Sequence, residues 1–274
     1  MTEPKITLTI AGNDASGGAG IAADLKTFAE YGTYGIATLA VIATMDPENE
    51  WSHSTHPIAP SIVKEQLVTA TAGKKIAAFK TGMLPNVEVI EVIANHIKEH
   101  QLDHFVFDPV MVCKGDDQVL NPENAEALKN ILAPMALVAT PNLFEAGQLS
   151  GIGTIKTIEE AKEACRRIHD LGAENVVIKG GDSLDDTKAI DVFYDGENFT
   201  LLKGELFDAS TNHGAGCTFA AAITGGLAQG LSPLEATKKA KTFVAEAIQG
   251  GFQFNQYVGP VFDSAYRLNR QDNI

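Results

Sequence analysis

The sequence is poor in cysteine and in basic residues, and it contains no long apolar run. Its three cysteines, Cys113, Cys165 and Cys217, are far apart and form no CxxC pair. An odd and scattered set argues against a disulfide framework and favours a reducing compartment, so we expect a cytoplasmic protein. No apolar run reaches the roughly 18 residues of a membrane span, and the first residues lack the basic and apolar parts expected of a signal peptide.

The balance of charge limits the partners that the chain is expected to bind. The 274 residues carry 21 basic and 35 acidic side chains, which gives a formal net charge of −14. Such an acidic chain is not expected to bind nucleic acid or an anionic membrane, but a local positive site for a phosphorylated small molecule is compatible with it. With 45% apolar residues and no linker-like tract, residues 1–274 are expected to form a single domain.

Apolar runs of strand length alternate with segments of helical periodicity along most of the chain. The helical segments are 20–31, 85–100 and 157–171, and the last one opens with a capping-box pattern at Thr157. Short runs that are apolar on both faces are typical of parallel strands covered by helices. The predicted strands are residues 6–11, 36–44, 76–80, 105–108, 137–140 and 176–179.

Two further runs, 189–194 and 199–206, break this alternation. The residues between them, DGEN at 195–198, are a hairpin signal, so we predict an antiparallel hairpin at one edge of the sheet. Helices are predicted after it, at about 214–229 and 232–249. The sequence therefore predicts an α/β fold: one three-layer αβα domain with a mostly parallel central sheet and an antiparallel edge hairpin.

In such sheets, ligands bind beyond the carboxyl ends of the strands. A glycine-rich loop, residues 12–20, follows the first strand and precedes a helix, where backbone N–H groups bind anions. Ala19 stands where a Walker A motif needs lysine, which excludes a P-loop nucleotidase. The segment 18–23 matches a relaxed dinucleotide fingerprint with Asp46 as a candidate ribose ligand, and a tight turn into a helix is the alternative.

Residues 212–217, which read NHGAGC, carry the clearest signal. Small residues at 214–216 are predicted to close around a phosphate at the start of a helix. A helix start lowers the pKa of a thiol, so we expect Cys217 to be partly thiolate near neutral pH and to act as a general base or a nucleophile. A buried, inert cysteine is the alternative. A zinc site at His213 and Cys217 is disfavoured, because no further ligand pair has suitable spacing.

Carboxylates at two other strand ends suggest a magnesium site. Asn142 and Glu145 begin a helix directly after a strand, where they either hold Mg²⁺ through water or cap the helix. Asp108, at the end of the neighbouring strand, adds a second carboxylate near the same place. The spacing alone leaves both interpretations open.

The remaining candidates each have a plain alternative. Lys179, which precedes Gly180 and Gly181, either contacts a nucleotide phosphate or is a solvated lysine in a turn. Cys113 lies in a polar, glycine-containing stretch that predicts a mobile flap, unless it is a chance surface cysteine. Cys165, within a predicted helix, is expected to be structural.

Several of these blocks, in this order and spacing, resemble the vitamin kinases of the ribokinase superfamily. The resemblance covers nearly the whole chain and is greatest to the two-cysteine pyridoxal kinases, which are related to hydroxymethylpyrimidine kinases. The matching blocks are AGNDASGGAGIAADLKT at 11–27, KTGM at 80–83, DPVM at 108–111, TPNLFE at 140–145 and HGAGC at 213–217.

This resemblance implies an ATP- and Mg²⁺-dependent kinase and gives roles to individual residues. Cys217 stands where most relatives have an aspartate base, and it would take the proton from the substrate CH₂OH group as the γ-phosphoryl group arrives. Asp108 and Glu145 are implied in magnesium binding, and Cys113 is implied as a catalytic flap cysteine. The implied substrate-binding residues are Gly12, Asp24, Met45, Val110, Cys113 and His213, and the implied ATP-binding residues are Asn142, Lys179, Gly180, Gly181, Gly214, Ala215 and Gly216.

Position 45 favours one substrate ring over another. Hydroxymethylpyrimidine kinases typically have glutamine there, which pairs with the aminopyrimidine edge, whereas Met45 cannot pair with it. An unpaired edge would lose roughly 1–3 kcal/mol. Met45 and Cys113 together favour phosphorylation of the 5′-hydroxymethyl group of pyridoxal, with pyridoxine and pyridoxamine as further substrates. A hydroxymethylpyrimidine kinase is the alternative, and Cys113 is hypothesised to hold pyridoxal as a hemithioacetal.

Two alternatives belong to other functional classes. A nicotinamide-dependent oxidoreductase rests on the fingerprint at 18–23, which is weakened because Gly18 lies seven positions beyond the end of the strand. A catalytically silent pyridoxal-binding or regulatory protein is the other, and the presence of Cys217, Asn142 and Glu145 argues against it. The resemblance also suggests a homodimer.

Overall fold

One β-sheet runs through the molecule and carries helices on both faces. The computed structural model describes residues 3–111, 122–207 and 209–271. The strands are β1 (Ile6–Asp14), β2 (Tyr34–Asp46), β3 (Ser52–Pro57), β4 (Ile76–Thr81), β5 (Phe105–Phe107), β6 (Val138–Ala139), β7 (Asn175–Lys179), β8 (Ala189–Tyr194) and β9 (Phe199–Gly204). The α-helices are α1 (Gly20–Glu30), α2 (Pro60–Thr71), α3 (Val87–His100), α4 (Pro122–Ala127), α5 (Leu143–Ser150), α6 (Ile158–Asp170), α7 (Ala215–Ala228), α8 (Pro233–Gln249) and α9 (Ala265–Gln271).

The described strands pair in the order β3-β2-β1-β4-β5-β6-β7-β8-β9. The pairs from β2 through β1 and β4 to β7 are parallel, and β8 and β9 form the predicted antiparallel hairpin at one edge. Thr81, Phe107 and Ala139 are level with one another in the sheet. The residues that follow them therefore emerge together at the carboxyl edge, which brings Asp108 beside Thr140.

Two apolar cores, one on each face of the sheet, make the three layers that the sequence predicts. Neighbouring residues alternate between them: Phe79 of β4 belongs to the core beneath α2, α3, α5 and α6, and Ala78 to the core beneath α7 and α8. Helix α7 is buried along residues 218–228, and six of those eleven are alanine or glycine. Small side chains let this helix lie close to the sheet, with its first residue at the carboxyl edge.

The opposite edge of the sheet differs from the prediction. β2 continues to Asp46, and β3 pairs with it antiparallel, so an antiparallel pair lies at both edges rather than one. All six residues of β3 are exposed and most are polar, so the strand has no apolar alternation that sequence reasoning could detect. Among the described helices, none is both long and apolar enough to cross a membrane.

Candidate active site

Two cavities open at the carboxyl edge of the sheet and meet at the start of α7. The first, of about 370 Å³, lies over the ends of β1, β2 and β4, and the second, of about 560 Å³, lies over the ends of β7, β8 and β9 and beside α8. Asn142, Lys179, Asn212 and Gly216 line both cavities. A group bound in one cavity therefore faces a group bound in the other across the first turn of α7.

The first turn of α7 is held against the glycine-rich loop by close backbone packing. Gly214, the N-cap residue, has φ of 83°, and a β-carbon there would overlap the carbonyl oxygen of Gly18. The structure gives this cap no side-chain hydrogen bond. The Ala215 N–H donates to the Asn212 carbonyl at 3.1 Å, whereas the next N–H groups of the first turn have no partner within the helix and are the donors that an anion site at a helix start uses. Gly214, Ala215 and Gly216 thus line the junction where the sequence places the phosphate cradle.

Cys217 lines the first cavity, but its predicted thiolate state is wrong for the unliganded chain. Burial raises the pKa of the Cys217 thiol to about 11, and the opposing effects of Lys80 and of a hydrogen bond from the Gly20 backbone are smaller. The helix-start argument considered only local structure, whereas loss of solvent around sulfur depends on the tertiary packing. At neutral pH the thiol therefore keeps its proton in the absence of ligand.

Asp24, expected to contact the substrate ring, is instead fully buried beneath the site. Its Oδ2 accepts a hydrogen bond of 2.6 Å from Thr9, and both its oxygens accept from Lys80 Nζ at 3.0 and 2.9 Å. Every strong hydrogen-bonding position of this carboxylate faces protein, so a direct contact with substrate does not fit the structure. Lys80, which the sequence reasoning noted only as part of a motif, is its fully buried partner.

Lys179 crosses the junction of the cavities and pairs with Asp108. Its Nζ lies 2.8 Å from Asp108 Oδ1, which also accepts a hydrogen bond of 3.0 Å from Thr140. Burial disfavours the charge on Lys179, but Asp108 and Glu145 outweigh burial and raise the pKa of the lysine. Lys179 is therefore a fixed cation at the point where a phosphate would cross, and not a solvated lysine in a turn.

Asn142 and Glu145 form the helix cap that was one of the two open interpretations. Asn142 Oδ1 accepts from the Glu145 backbone N–H, and Glu145 Oε2 accepts from the Asn142 backbone N–H, each at 2.8 Å. Burial raises the pKa of Glu145 to about 7; Lys179 opposes this rise, and nearby Asp108 adds to it. The capping role does not exclude metal binding, because the carboxylates of Asp108 and Glu145 both line the first cavity.

The donor set at this place fits a magnesium ion. Asp108 lies close enough to Glu145 to disfavour the charge of that carboxylate, so a divalent cation bound between them would favour the anion of Glu145. Mg²⁺ takes one or two protein carboxylates and completes its shell with water and phosphate oxygens. Asp108 and Glu145 are the residues that would hold it.

The wall of the first cavity contains most of the residues expected to bind a substrate ring. Gly12, Met45, Val110 and His213 all line it. Residues to which the sequence reasoning assigned no binding role also line it, namely Asn13, Asp14, His53, Gly82 and Met83.

Asp14 and His213 connect the glycine-rich loop with the residue before the cradle. His213 Nε2 lies 2.6 Å from Asp14 Oδ2, and the Ser16 backbone N–H donates to Asp14 Oδ1 at 2.8 Å. Burial alone would raise the pKa of Asp14, but these hydrogen bonds hold it below its usual value. Asp14 ends an apolar strand, so a charged residue closing β1 was the signal that could have marked it as a site residue.

The wall of the second cavity contains the other residues expected to bind ATP. Gly180 and Gly181 line it beside Lys179, and the Gly180 backbone N–H donates to Asp191 Oδ1 at 3.1 Å. Asp191 Oδ2 accepts from Lys241 Nζ at 2.7 Å, so a partly buried ion pair from β8 and α8 holds this turn in place.

The other two cysteines have different outcomes. Cys113 lies outside the described residues, so its flap role and the two-cysteine assignment stay predictions. Cys165 is fully buried in the core, where its Sγ lies 3.7 Å from the Val192 carbonyl oxygen, as a structural cysteine would be.

A mostly parallel αβα sheet with two cavities meeting at a helix start is the architecture of a ribokinase-like small-molecule kinase. A family model described as phosphomethylpyrimidine kinase matches residues 14–262, and the chain belongs to this family. Its relatives include the pyridoxine kinase of Bacillus subtilis, which is 54% identical over 96% of this chain and 97% of that protein. The hydroxymethylpyrimidine/phosphomethylpyrimidine kinase of the same organism is 35% identical over 96% of each chain.

Solved structures agree with both the fold and the family. The ADP complex of Bacillus subtilis pyridoxal kinase superposes with a TM-score of 0.94 at 54% identity, over 97% of this chain and 100% of that one. The Staphylococcus aureus pyridoxal kinase in complex with AMP-PCP and pyridoxal gives a TM-score of 0.92 at 49% identity, over 97% of this chain and 96% of that one. The first of these relatives binds ADP, and the second binds AMP-PCP and pyridoxal; a nucleotide and pyridoxal are the two kinds of ligand expected from the sequence.

Proposed function

We propose that this chain transfers the γ-phosphoryl group of ATP to the 5′-hydroxymethyl group of pyridoxal, and also to pyridoxine and pyridoxamine, in vitamin B6 salvage. The protein is then a phosphotransferase with an alcohol as acceptor. The single observation that carries the proposal is the junction of the two cavities at the start of α7. The substrate ring would occupy the first cavity and the nucleotide the second.

The residues at the junction supply what phosphoryl transfer requires, which is chiefly positioning and charge stabilisation. The first turn of α7 offers backbone N–H groups to the migrating group, and Lys179 adds a fixed positive charge beside it. Magnesium, when bound with ATP by Asp108 and Glu145, would neutralise charge on the phosphates. None of these groups has to change its covalent structure during the reaction.

Cys217 is the proposed proton acceptor. Its thiolate would take the proton of the substrate CH₂OH group while that oxygen bonds to the γ-phosphorus and ADP leaves with the electron pair of the broken bond. Because the pKa of the free thiol is about 11, we expect kcat/KM to rise with pH through the neutral and mildly alkaline range.

The test is a coupled ADP-release assay with pyridoxal, pyridoxine and hydroxymethylpyrimidine as acceptors. We expect Cys217→Ala to lower kcat by about 10²–10⁴-fold. Cys165→Ala, which removes a core cysteine that lines neither cavity, should retain kcat. Cys217→Ala with the kcat of the parent would show that the thiol is not the base.

The same assay decides between the two rings. The family description and the relatives at 35% identity favour hydroxymethylpyrimidine as a second candidate substrate. Met45 lines the ring cavity and has no group that pairs with an aminopyrimidine edge, so we expect a higher kcat/KM for pyridoxal. A higher kcat/KM for hydroxymethylpyrimidine would reverse the assignment while leaving the kinase mechanism in place.

Further proposals concern Cys113 and the whole chain. We infer that the Cys113 thiol adds reversibly to the aldehyde of pyridoxal, forming a C–S bond while the carbonyl oxygen takes the proton. Cys113→Ala would then impair turnover of pyridoxal more than that of pyridoxine, which has no aldehyde.

We also propose that residues 1–274 form one domain, that the protein is a cytoplasmic homodimer, and that neither nucleic acid nor a membrane is its partner.

A further inference from the structure

A buried ion pair lies directly beneath the proposed active site. Lys80 occupies the middle layer of the molecule on β4, and its side chain and that of Asp24 on α1 are both fully buried. Lys80 Nζ contacts both oxygens of Asp24, and Thr9 on β1 donates to the same carboxylate. Burying two charges costs several kcal/mol per ion before their attraction is counted, so an ion pair at this depth calls for a reason beyond stability.

The ammonium of Lys80 is separated from the substrate cavity by a residue without a side chain. Gly82 lines that cavity, and a β-carbon at Gly82 would lie 3.3 Å from Lys80 Nζ. Helix α7 packs on β4 and β1 on the face to which Ala78 and, two residues further along, Lys80 point, and it carries Cys217 into the same cavity. The ammonium of Lys80 and the thiol of Cys217 therefore lie on the same face of the sheet, close enough for the ammonium to act on the charge of the thiol.

Among the described residues, charged groups from several of the surrounding elements act on Cys217. Lys80 comes from β4, Asp24 from α1, Asp108 from the end of β5 and Lys179 from β7, and the Gly20 backbone N–H also donates to the thiol. Burial is the largest effect on the pKa of Cys217 and raises it; Lys80, the strongest of the charges, lowers it, while Asp24 and Asp108 raise it. Lys80 is thus the main charge that favours the thiolate.

We propose that Lys80 is a positioning residue that stabilises the thiolate of Cys217, and that Asp24 and Thr9 fix the place of its ammonium group. The proposal rests on the proposed role of Cys217 as proton acceptor. It also gives Asp24 a role that fits its burial: Asp24 holds the ammonium of Lys80 in place and does not contact the substrate ring.

Lys80 acts as a fixed charge and not as a proton donor. Burial disfavours its charged form, but Asp24, together with Cys217 and Asp108, more than offsets burial and holds the pKa of Lys80 above its ordinary value. The transferred proton therefore moves from the substrate oxygen to Cys217 Sγ, and Lys80 remains an ammonium before and after the transfer.

Alkylation of Cys217 tests the proposal without using kinase activity. The rate of reaction with iodoacetamide at pH 9 follows the thiolate fraction, and peptide mass spectrometry separates Cys217 from Cys113 and Cys165. We expect Cys217 to be alkylated about tenfold more slowly in Lys80→Gln than in the parent, because this variant loses one favourable neighbouring charge. Lys80→Arg keeps that charge and should restore much of the rate. An unchanged rate in Lys80→Gln would overturn the proposal.

A matched control comes from the start of the same strand. Lys75 directly precedes β4 and forms an exposed ion pair with Asp103, so Lys75→Gln removes the same charge far from the thiol. Its Cys217 alkylation rate should equal that of the parent. If Lys80→Gln does not fold, the double variant Lys80→Met/Asp24→Asn leaves no buried charge and should still slow alkylation, because Lys80 affects the thiol more than Asp24 does.

Kinetics separate a failure of this inference from a failure of the proposed function. We expect kcat of Lys80→Gln to fall about tenfold and its alkaline rise to move to higher pH, with KM for ATP little changed. Slower alkylation with unchanged kcat would mean that Lys80 stabilises the thiolate but that Cys217 is not the base. Unchanged alkylation with reduced kcat would mean that Lys80 acts in some other way, and the proposal would be wrong.

Discussion

At the scale of single residues, the candidate site depends on glycines, which have no side chain, as much as on the residues with reactive or charged groups. The phosphate cradle forms because Gly214 adopts a left-handed backbone and leaves room for the carbonyl oxygen of Gly18. The ion pair beneath the site comes close to the cavity because Gly82, which lies between them, has no side chain. The groups proposed to act, Cys217 and Lys179, lie beside backbone positions that only glycine allows.

Replacing Gly214 with alanine should therefore harm both stability and catalysis. A left-handed backbone costs a non-glycine residue roughly 1–2 kcal/mol, and here the new β-carbon also overlaps the Gly18 carbonyl. A displacement of the cradle by about 1 Å would lower kcat on the order of 10²-fold. Urea unfolding and the coupled kinase assay measure the two effects.

Gly230, just beyond the other end of α7, is the matched control for that substitution. It has φ of 89°, close to that of Gly214, but a β-carbon there meets nothing within 4 Å. Gly230→Ala should show the backbone cost alone, with kcat retained. Equal effects of the two substitutions on kcat would mean that contact with Gly18 does not shape the cradle.

At the scale of secondary-structure elements, the sequence predicted whatever has a local cause. The alternation of strands and helices, the β8–β9 hairpin and the capping box of α6 at Thr157 all follow from short-range patterns, and the structure contains each of them. The sites at Asn142 and Gly214 were found for the same reason, since helix starts after strands are visible in the sequence.

Features that arise from packing between distant elements were not predictable in the same way. β3 is an exposed polar strand that exists because β2 extends far enough to pair with it. The raised pKa of Cys217 and the burial of Asp24 depend on what α7, α1 and β4 do together. A lysine inside the apolar strand β4 was the one sequence signal of the buried pair, because a charge at such a position needs a partner.

The two capping boxes of α5 and α6 allow the structural and functional roles of Asn142 to be separated. Asn142→Ala and Thr157→Ala each remove a side-chain cap, so each should lower the free energy of unfolding by about 1 kcal/mol. Only Asn142 lies where the two cavities meet, so only its substitution should also lower kcat/KM for ATP, by about tenfold or more. Denaturant titration and ATP kinetics on both variants test this separation of roles. If Asn142→Ala retained its kcat/KM for ATP, the functional role of Asn142 would be contradicted.

At the scale of the whole molecule, the distribution of charge explains how an acidic chain can bind a polyanion. The formal net charge is −14, yet Lys80 and Lys179 hold positive charge within or beneath the cavities. Their partners are carboxylates that are themselves buried, so these cations do not produce a basic surface that would attract nucleic acid. The charge that matters for the proposed reaction is concentrated where the two cavities meet.

The same concentration of buried charge predicts how the stability of the whole protein depends on pH. Burial raises the pKa of Glu145 from 4.5 to about 7 in the folded chain, with Lys179 opposing and Asp108 adding to the rise. Between these two values the folded chain keeps a proton that the unfolded chain has released, so the free energy of unfolding should fall as pH rises from about 4.5 to 7. Glu145→Gln keeps an oxygen that can accept the hydrogen bond from Asn142 but has no proton to release. Urea unfolding of both proteins across this range should therefore show the parent losing stability relative to Glu145→Gln as pH rises. If the difference in the free energy of unfolding between the two proteins stayed constant with pH, Glu145 would already be ionised in the folded, ligand-free protein.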